Sequence, residues 1–439
     1  MKKEDIGDSE MVTGFKKSLR VIVAFSFLLI LLFNPIYSKS CDEWPMLYKD
    51  PQHTNYSDCQ MPEVMDVLWS YKIKDTTTSS PVIANGKLYI GSGKNDRRVY
   101  CLDAETGKKL WEYKTGSEVR SSPAVVNGKV YVGSFDKNIY CLDADTGEKI
   151  WSYETEGIII SSPSVVNGRL YIGSEDKNVY CIDAKTGKKL WNYTTGNAVC
   201  SSLAIYNGKV YVVSGRYMYC LDAERGEEIW IHMITPHSTV VSSPFITKNK
   251  VYIGCGRDLY CIDTDTGKEL WSCTILSEHS FLVSSTIADD RLYLSAGGRE
   301  SNFYCLDAET GEELWVYKKE REYTIFDSLA IADSKLYIAV YPNYLYCIDT
   351  KTGKKLWEYK GVSLITPLAI ANGKIYAASC GEDNKIYCFG SPEEKGTTPS
   401  DFIPILLIIV LFFSGLFLWK KRKKENSSLS INIPSQNTD

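Results

Sequence analysis

The sequence predicts an all-β fold: an eight-bladed β-propeller, a closed ring of four-stranded antiparallel sheets. Three observations predict it. The string Tyr-Cys-Leu/Ile-Asp-x-x-Thr-Gly-x-x-Leu/Ile-Trp recurs seven times, in its cleanest form at Tyr100–Trp111, Tyr140–Trp151 and Tyr180–Trp191. Its Trp falls at Trp111, Trp151, Trp191, Trp230, Trp271, Trp315 and Trp357, a period near forty residues with strand-like contents, which means a ring or array of small sheets. A further Trp-bearing stretch, Val67–Tyr71, precedes the first unit in register with it.

The unit Ser121–Tyr153 justifies the strands in order. Ser121-Ser122-Pro123-Ala124-Val125-Val126 is a short inner strand, whose Pro fits a place that need not donate to a ladder. Asn127-Gly128 is a two-residue hairpin turn, both positions favouring positive φ. Lys129–Gly133 is the second strand and Ser134–Asn138 a polar loop. Ile139–Leu142 is the third strand. Asp143–Gly147 is a turn in which the Asp accepts backbone N–H bonds and the Gly adopts a left-handed conformation. Lys149–Tyr153 is the fourth, outer strand.

Counting strands sets the ring size. Sets of first to third strands begin near Ser79, Ser121, Ser161, Ser201, Ser242, Ser284, Phe326 and Ile365, which makes eight. Only seven are followed by a Trp strand, since the last set ends at Tyr387-Cys388-Phe389-Gly390. Val67–Tyr71, with Trp69, is therefore expected to supply the outer strand of blade 8 and close the ring, which removes two open edges.

The propeller is expected at 67–390, after a lead-in at 41–66. Residues 1–40 read as a secretory signal: Lys16, Lys17 and Arg20, the apolar run Val21–Phe33, then Ser38-Lys39-Ser40. Left uncleaved, the same segment is an N-terminal anchor. Residues 391–401 form a polar linker. Phe402–Trp419 carries no charge over a length that spans a bilayer as a helix, and the basic run from Lys420 marks a cytoplasmic tail at 420–439. This places the propeller outside the cell on a single-pass membrane anchor. The net charge of −4 favours neither nucleic acid nor an anionic surface.

There are 14 Cys. Eight obey the repeat (Cys101, Cys141, Cys181, Cys220, Cys261, Cys305, Cys347 and Cys388), and equivalent positions in neighbouring blades lie beyond bridging distance, so they read as buried thiols. Cys41 and Cys59 bracket a loop-like segment and are the best-placed pair for a disulfide. Asn55-Tyr56-Ser57 and Asn192-Tyr193-Thr194 are glycosylation sequons if the propeller is outside.

The block Cys-x-Asp-x-x-Thr-Gly-x-x-x-Trp resembles the tryptophan-docking motif of the pyrroloquinoline-quinone (PQQ) repeat propellers, with Cys where that motif has Ala. The stretch Trp44-Pro45-Met46-Leu47-Tyr48-Lys49-Asp50 is similar to their lead-in. The resemblance covers Cys41–Gly390 and implies eight blades with each Trp packed between neighbours: Trp69 and the seven named above. The turn residues Asp103, Asp143, Asp183, Asp222, Asp263, Asp307 and Asp349 each cap a turn in their own blade, too far apart around the ring to share a calcium ion, and read as framework. Arg225 replaces the motif Thr in blade 4, which predicts a looser turn there.

That family includes quinoprotein dehydrogenases as well as non-catalytic scaffolds, and fold alone does not choose between them. No Cys-Cys pair and no Cys-x-x-Cys-His is present, and the units leave little room for Ca²⁺-binding insertions. His53, His232, His237 and His279 lack metal-ligand spacing and read as packing or surface residues. The expectation is a non-catalytic module without a resident cofactor or metal, PQQ and Ca²⁺ included. Its expected partner is an envelope protein or glycan. The alternatives are a PQQ-dependent alcohol or sugar dehydrogenase and a sensor ectodomain. The partner-binding face is expected opposite the turns, where links and loops differ between blades, at Ile159, Phe281, Tyr323, Phe326, Tyr341 and Tyr344.

Overall fold

The computed structural model describes residues 43–235, 242–276, 280–298, 302–318, 329–340, 342–364, 366–379 and 383–392. The expected signal, the membrane helix and the basic tail lie outside the described residues. Among the described residues, no helix is long and apolar enough to cross a membrane.

The described chain is all-β and forms eight blades, each running inner, second, third and outer strand in antiparallel order. In blade 2 these are Ala124–Val126, Lys129–Gly133, Asn138–Asp143 and Lys149–Glu154. The inner hairpin turns form as read: Asn127 has φ 51° and Gly128 φ 70°, as do their counterparts at Asn85-Gly86, Asn167-Gly168 and Asn207-Gly208. Ring closure is also as expected. Asp66–Lys72 pairs antiparallel with Lys385–Gly390 and becomes the outer strand of blade 8, with Trp69 opposite Cys388.

Every outer strand slips register next to its Trp. In blade 2, Lys149 faces Leu142 while Trp151 faces Cys141, so Ile150 is the extra residue of a bulge. The bulge turns the indole toward the next blade and leaves Ile150 exposed, as it does Leu110, Leu190 and Leu270.

Each Trp then docks on the turn of the following blade. Trp111 Nε1 donates to Ala144 O at 3.1 Å, and the buried Tyr89 hydroxyl donates to the same carbonyl at 3.2 Å. The pairing recurs with Trp151 and Tyr131 on Ala184 O, and Trp191 and Tyr171 on Ala223 O. It recurs again with Trp230 and Tyr211 on Thr264 O, and Trp315 and Tyr293 on Thr350 O. Trp69 and Tyr376 on Ala104 O carry it across the ring closure. The indole lies flat on the motif Gly: a Cβ on Gly147 would sit 2.6 Å from Trp111 Cδ2. That Gly also has φ +74°, so the position excludes a side chain twice over.

One junction breaks the pattern. Blade 8 has no Asp-x-x-Thr-Gly turn, because its outer strand arrives from the other end of the chain. Trp357 Nε1 and Tyr337 Oη, which would dock there, have no hydrogen-bond partner. Trp271 Nε1 is also without one, although Tyr252 donates to Ala308 O at 3.0 Å.

Candidate functional site: the two ends of the ring

The hairpin turns and the Asp-x-x-Thr-Gly turns share one end of the ring, linked by bonds such as Ala144 N to Gly128 O at 3.0 Å. The Asp residues are engaged within their own turns. Asp143 Oδ1 accepts from Thr146 N at 2.8 Å and Asp145 N at 3.0 Å. These bonds favour the carboxylate, and hydrogen bonds from Thr106, Thr146 and Thr186 hold Asp103, Asp143 and Asp183 below the ordinary Asp range. Asp263, Asp307 and Asp349 are lowered in the same way. The looser turn expected at Arg225 is not found. Asp222 Oδ1 accepts from Glu224 N at 2.9 Å and Arg225 N at 2.7 Å, and Gly226 N still donates to Asp222 O. Backbone donors fix the turn, and only the bonds of a Thr hydroxyl are missing.

The lead-in is the element that sequence reasoning missed. It does not merely precede the ring; it runs around the axis at the turn end, visiting blades in chain order. Ile83 N of blade 1 donates to Trp44 O at 2.8 Å, and Val125 N of blade 2 to Pro45 O at 2.7 Å. Ile205 N of blade 4 bonds Pro51 O and Ile246 N of blade 5 bonds Gln52 O. Ile287 N of blade 6 bonds Thr54 O and Ile331 N of blade 7 bonds Asn55 O. Tyr56–Ser57 then pairs parallel with Ile331 and Ala332. In blade 3 the contact is apolar, Met46 packing in the cluster that holds Val165 and Tyr171's neighbours Leu170 and Ile172. To follow this path Tyr48, Lys49, His53 and Asn55 all take positive φ. Such conformations cost about 1–3 kcal/mol each and persist only where surroundings over-determine them. The strap leaves over the undocked junction: Met61 N donates to Asp333 Oδ2 at 3.3 Å, and Lys335 Nζ to Met61 O at 3.4 Å. The sequence signal was present in the apolar and Pro-bearing run Trp44–Pro51, which has no partner in the repeat.

Two expectations for this segment are settled by its burial. Asn55 is 1% exposed and donates to Leu329 O, so its sequon is sealed inside the fold, whereas Asn192 is exposed on an outer strand. His53 is a packing residue, as read: Nδ1 lies 2.8 Å from Pro244 O, Tyr48 meets the ring edge-on, and burial lowers its pKa. Cys59 is a buried free thiol, and Cys41 lies outside the described residues.

The opposite end carries links and loops. Its axial rim is a serine belt: Ser80 N donates to Ser122 Oγ, Ser122 N to Ser162 Oγ, Ser162 N to Ser202 Oγ, and Ser202 N to Ser243 Oγ, at 2.8–3.1 Å. Outside it, in blades 2 and 3, an Asp four residues before a Tyr ties loop to link, while in blade 1 Asp96 accepts from the Tyr100 hydroxyl at 2.6 Å and Asp75 of the link accepts from Asn95 N of the loop at 2.7 Å. Asp136 Oδ2 accepts from the Tyr140 hydroxyl at 2.7 Å and from Gly116 N of the preceding link at 2.6 Å. Blade 8 repeats the Asp383–Tyr387 pair. Blade 4 replaces that loop by Gly215-Arg216.

Ile159, expected on a partner-binding surface, belongs to the core. It is 0% exposed and fills the space where a Cβ on Gly133 would lie, 2.2 Å from its Cγ2. Val119 over Gly91 and Val199 over Gly173 do the same, so these link residues lock one blade to the next. Tyr344 is half-buried against Tyr346, with Lys360 over its ring. Phe281 lies on the strand Ser280–Ala288, its backbone paired with Gly297. Tyr323, Phe326 and Tyr341 lie outside the described residues. This end exposes Arg120, 4.7 Å over the Phe135 ring and 3.2 Å from Glu118, and leaves Ile158, Ile160 and Cys200 half-buried on the two following links.

The repeat thiols are chemically quiet. Burial raises Cys101, Cys141, Cys220, Cys261, Cys305, Cys347 and Cys388 to about 12. A quinone with its Ca²⁺ needs convergent carboxylate and amide donors. Among the described residues no three His, Cys, Asp or Glu side chains gather as a metal set, and each repeat Asp is held in its own turn.

The fold and its docking geometry define a class: an eight-bladed, tryptophan-docked β-propeller. The sequence profile of the β-propeller of β-alanine-activating enzyme matches residues 53–285, more than half of the chain, and the chain belongs to that family. Among solved structures it is similar to the quinohemoprotein alcohol dehydrogenase of Comamonas testosteroni (TM-score 0.69, 15% identity, 80% of each chain covered). It is also similar to a europium-containing methanol dehydrogenase (TM-score 0.68, 13% identity, 80% of this chain and 98% of that one). BamB of Moraxella catarrhalis is similar at TM-score 0.61 and 16% identity, over 75% of this chain and 99% of that one. No curated protein matches the chain.

Proposed function

We propose that this protein is a membrane-tethered propeller that binds a protein or glycan of the cell envelope, without catalysis, through the end of the ring that carries the links and loops. The observation that carries this reading is the strap. Main-chain bonds from six inner strands fill the turn end, so that end is committed to holding the ring together. The opposite end keeps a rigid serine rim and the exposed Arg120 cluster, and its links differ from blade to blade. Loops on a rigid scaffold are where binding residues concentrate.

The tether is the apolar segment 402–419, with the propeller outside and the basic tail inside. The test is a pull-down from envelope extract with the full-length chain in detergent, comparing wild type with Arg120→Glu. The expected result is a reproducible partner retained by the first and lost by the second. No partner, or one indifferent to the substitution, removes the reading. Saturable binding of PQQ with Ca²⁺, accompanied by dye-linked oxidation of alcohols or sugars, would replace it with the dehydrogenase.

A further inference from the structure

The outer strands of the eight blades are edge strands, and seven of them are protected in the usual way. At the first and third positions after the Trp, blade 1 carries Glu112 and Lys114, blade 7 Glu358 and Lys360, and blade 8 Ser70 and Lys72. The remaining blades place at least one Ser, Thr, Asn, Glu or Lys there. Charged and polar side chains on an edge discourage pairing with another chain. Blade 4 is the exception: its strand Glu228–Met233 carries Ile231 and Met233, 44% and 53% exposed, next to Ile229 at 42% and Tyr217 at 37%.

The backbone of that edge is presented for pairing. Ile234 N donates inward to Arg216 O at 2.9 Å, and antiparallel ladders alternate, so Ile231 and Met233 direct their N–H and C=O groups outward. We infer that this strand pairs antiparallel with the same strand of a second copy of the chain. A two-fold axis through Ile231 sets Ile231 against its counterpart and Ile229 against Met233 of the second copy. Glu228 falls opposite Ile234. No like charges meet. The same two-fold pairing through blade 1 or blade 7 would set Glu112 or Glu358 against its own copy. The self-complementarity that a two-fold contact requires is thus present at blade 4, and it selects a second copy over a foreign strand. One strand pair is small against the roughly 1,200 Å² at which stable complexes begin, so the dimer is weak, with Kd on the order of micromolar.

Sedimentation equilibrium of the full-length chain in density-matched detergent, from about 1 to 100 μM, tests this. The expected result is a monomer–dimer equilibrium that Ile231→Lys or Met233→Lys weakens at least tenfold with an unchanged melting curve. Directly opposed, hydrogen-bonded residues have Cα atoms about 5.5 Å apart, within disulfide range, so Ile231→Cys should cross-link to itself under mild oxidation. A monomer at every concentration overturns the inference, as does a dimer indifferent to both lysines or one that Ile231→Cys does not trap. Recovery of a foreign protein on this edge in place of a second copy also overturns it.

Discussion

At the turn end of the ring the chain repeats itself and nearly every polar group is engaged, whereas at the opposite end the same scaffold carries links that change from blade to blade. The turn end is held by three layers: Asp-capped turns, Trp and Tyr docked on the next blade's carbonyl, and the strap across the inner strands. The opposite end is held by the serine belt and by link residues such as Ile159 seated over glycines. The difference teaches where sequence variation is tolerated. Each blade must match its neighbour at the turn end, since one docking carbonyl receives two donors. At the link end it must match only at the serine and the buried apolar position, and the residues between are free to differ.

The comparison is broken most completely by removing the strap. Deleting residues 43–57 takes away the hydrogen bonds from six inner strands to the strap. The expected outcome is loss of cooperative thermal unfolding by circular dichroism. The milder version is Trp44→Ala. Trp44 is 1% exposed and bridges Ile83, and truncating a buried Trp costs about 3–5 kcal/mol. A strap-deleted chain that melts like wild type would show that the ring closes through its blades alone.

The next largest effect separates two glycines with nearly the same backbone. Gly128 and Gly147 have φ +70° and +74°, but a Cβ on Gly128 meets open space while one on Gly147 meets the Trp111 ring. Gly128→Ala should cost only the left-handed penalty, about 1–2 kcal/mol. Gly147→Ala should add an overpacking term, for a total of about 2–5 kcal/mol. Denaturant unfolding of the pair isolates the Trp dock; equal losses would mean the indole moves aside freely.

The repeat itself revealed the blades, the closing strand and the framework role of Asp, Cys and Trp, because these are local patterns whose period the eye can follow. The strap was not legible in the same way. The bonds that tie it to six blades are main-chain bonds to strands up to 276 residues away, Asn55 to Ile331, and such bonds leave no side-chain signature. Ile159 was misread for a related reason. An apolar link residue looks alike whether it faces solvent or a glycine, and only the paired absence of a Cβ at Gly133 decides. The unprotected edge of blade 4 was written in the sequence as Ile231 and Met233. It becomes a feature only once the fold shows which strand is outermost.

A smaller, pH-dependent effect sharpens the role of the strap. Burial lowers the pKa of His53 while Pro244 O and Asp50 pull it upward. The folded value lies below that of the unfolded chain, near 6.5. The unfolded state therefore binds the proton more readily, and stability is full above about pH 6.5 and falls as pH drops toward the folded value. Thermal melts between pH 7.5 and 5 should show this decline, and His53→Asn should flatten it. A wild-type slope that survives the substitution would assign the decline to other groups.

The smallest expected effect lies at the link end. Arg120 is exposed, and its ion pair with Glu118 and its contact with Phe135 are of the kind that solvent screens. Arg120→Ala should change unfolding stability by no more than about 0.5 kcal/mol, the usual range for surface positions. Placed beside Gly147→Ala, it measures the asymmetry of the ring in one experiment: a framework position that tolerates nothing against a link position that tolerates replacement. Should Arg120→Ala prove as costly as Gly147→Ala, the link end would be framework too, and its variation would reflect blade-specific packing in place of a surface kept free for a partner.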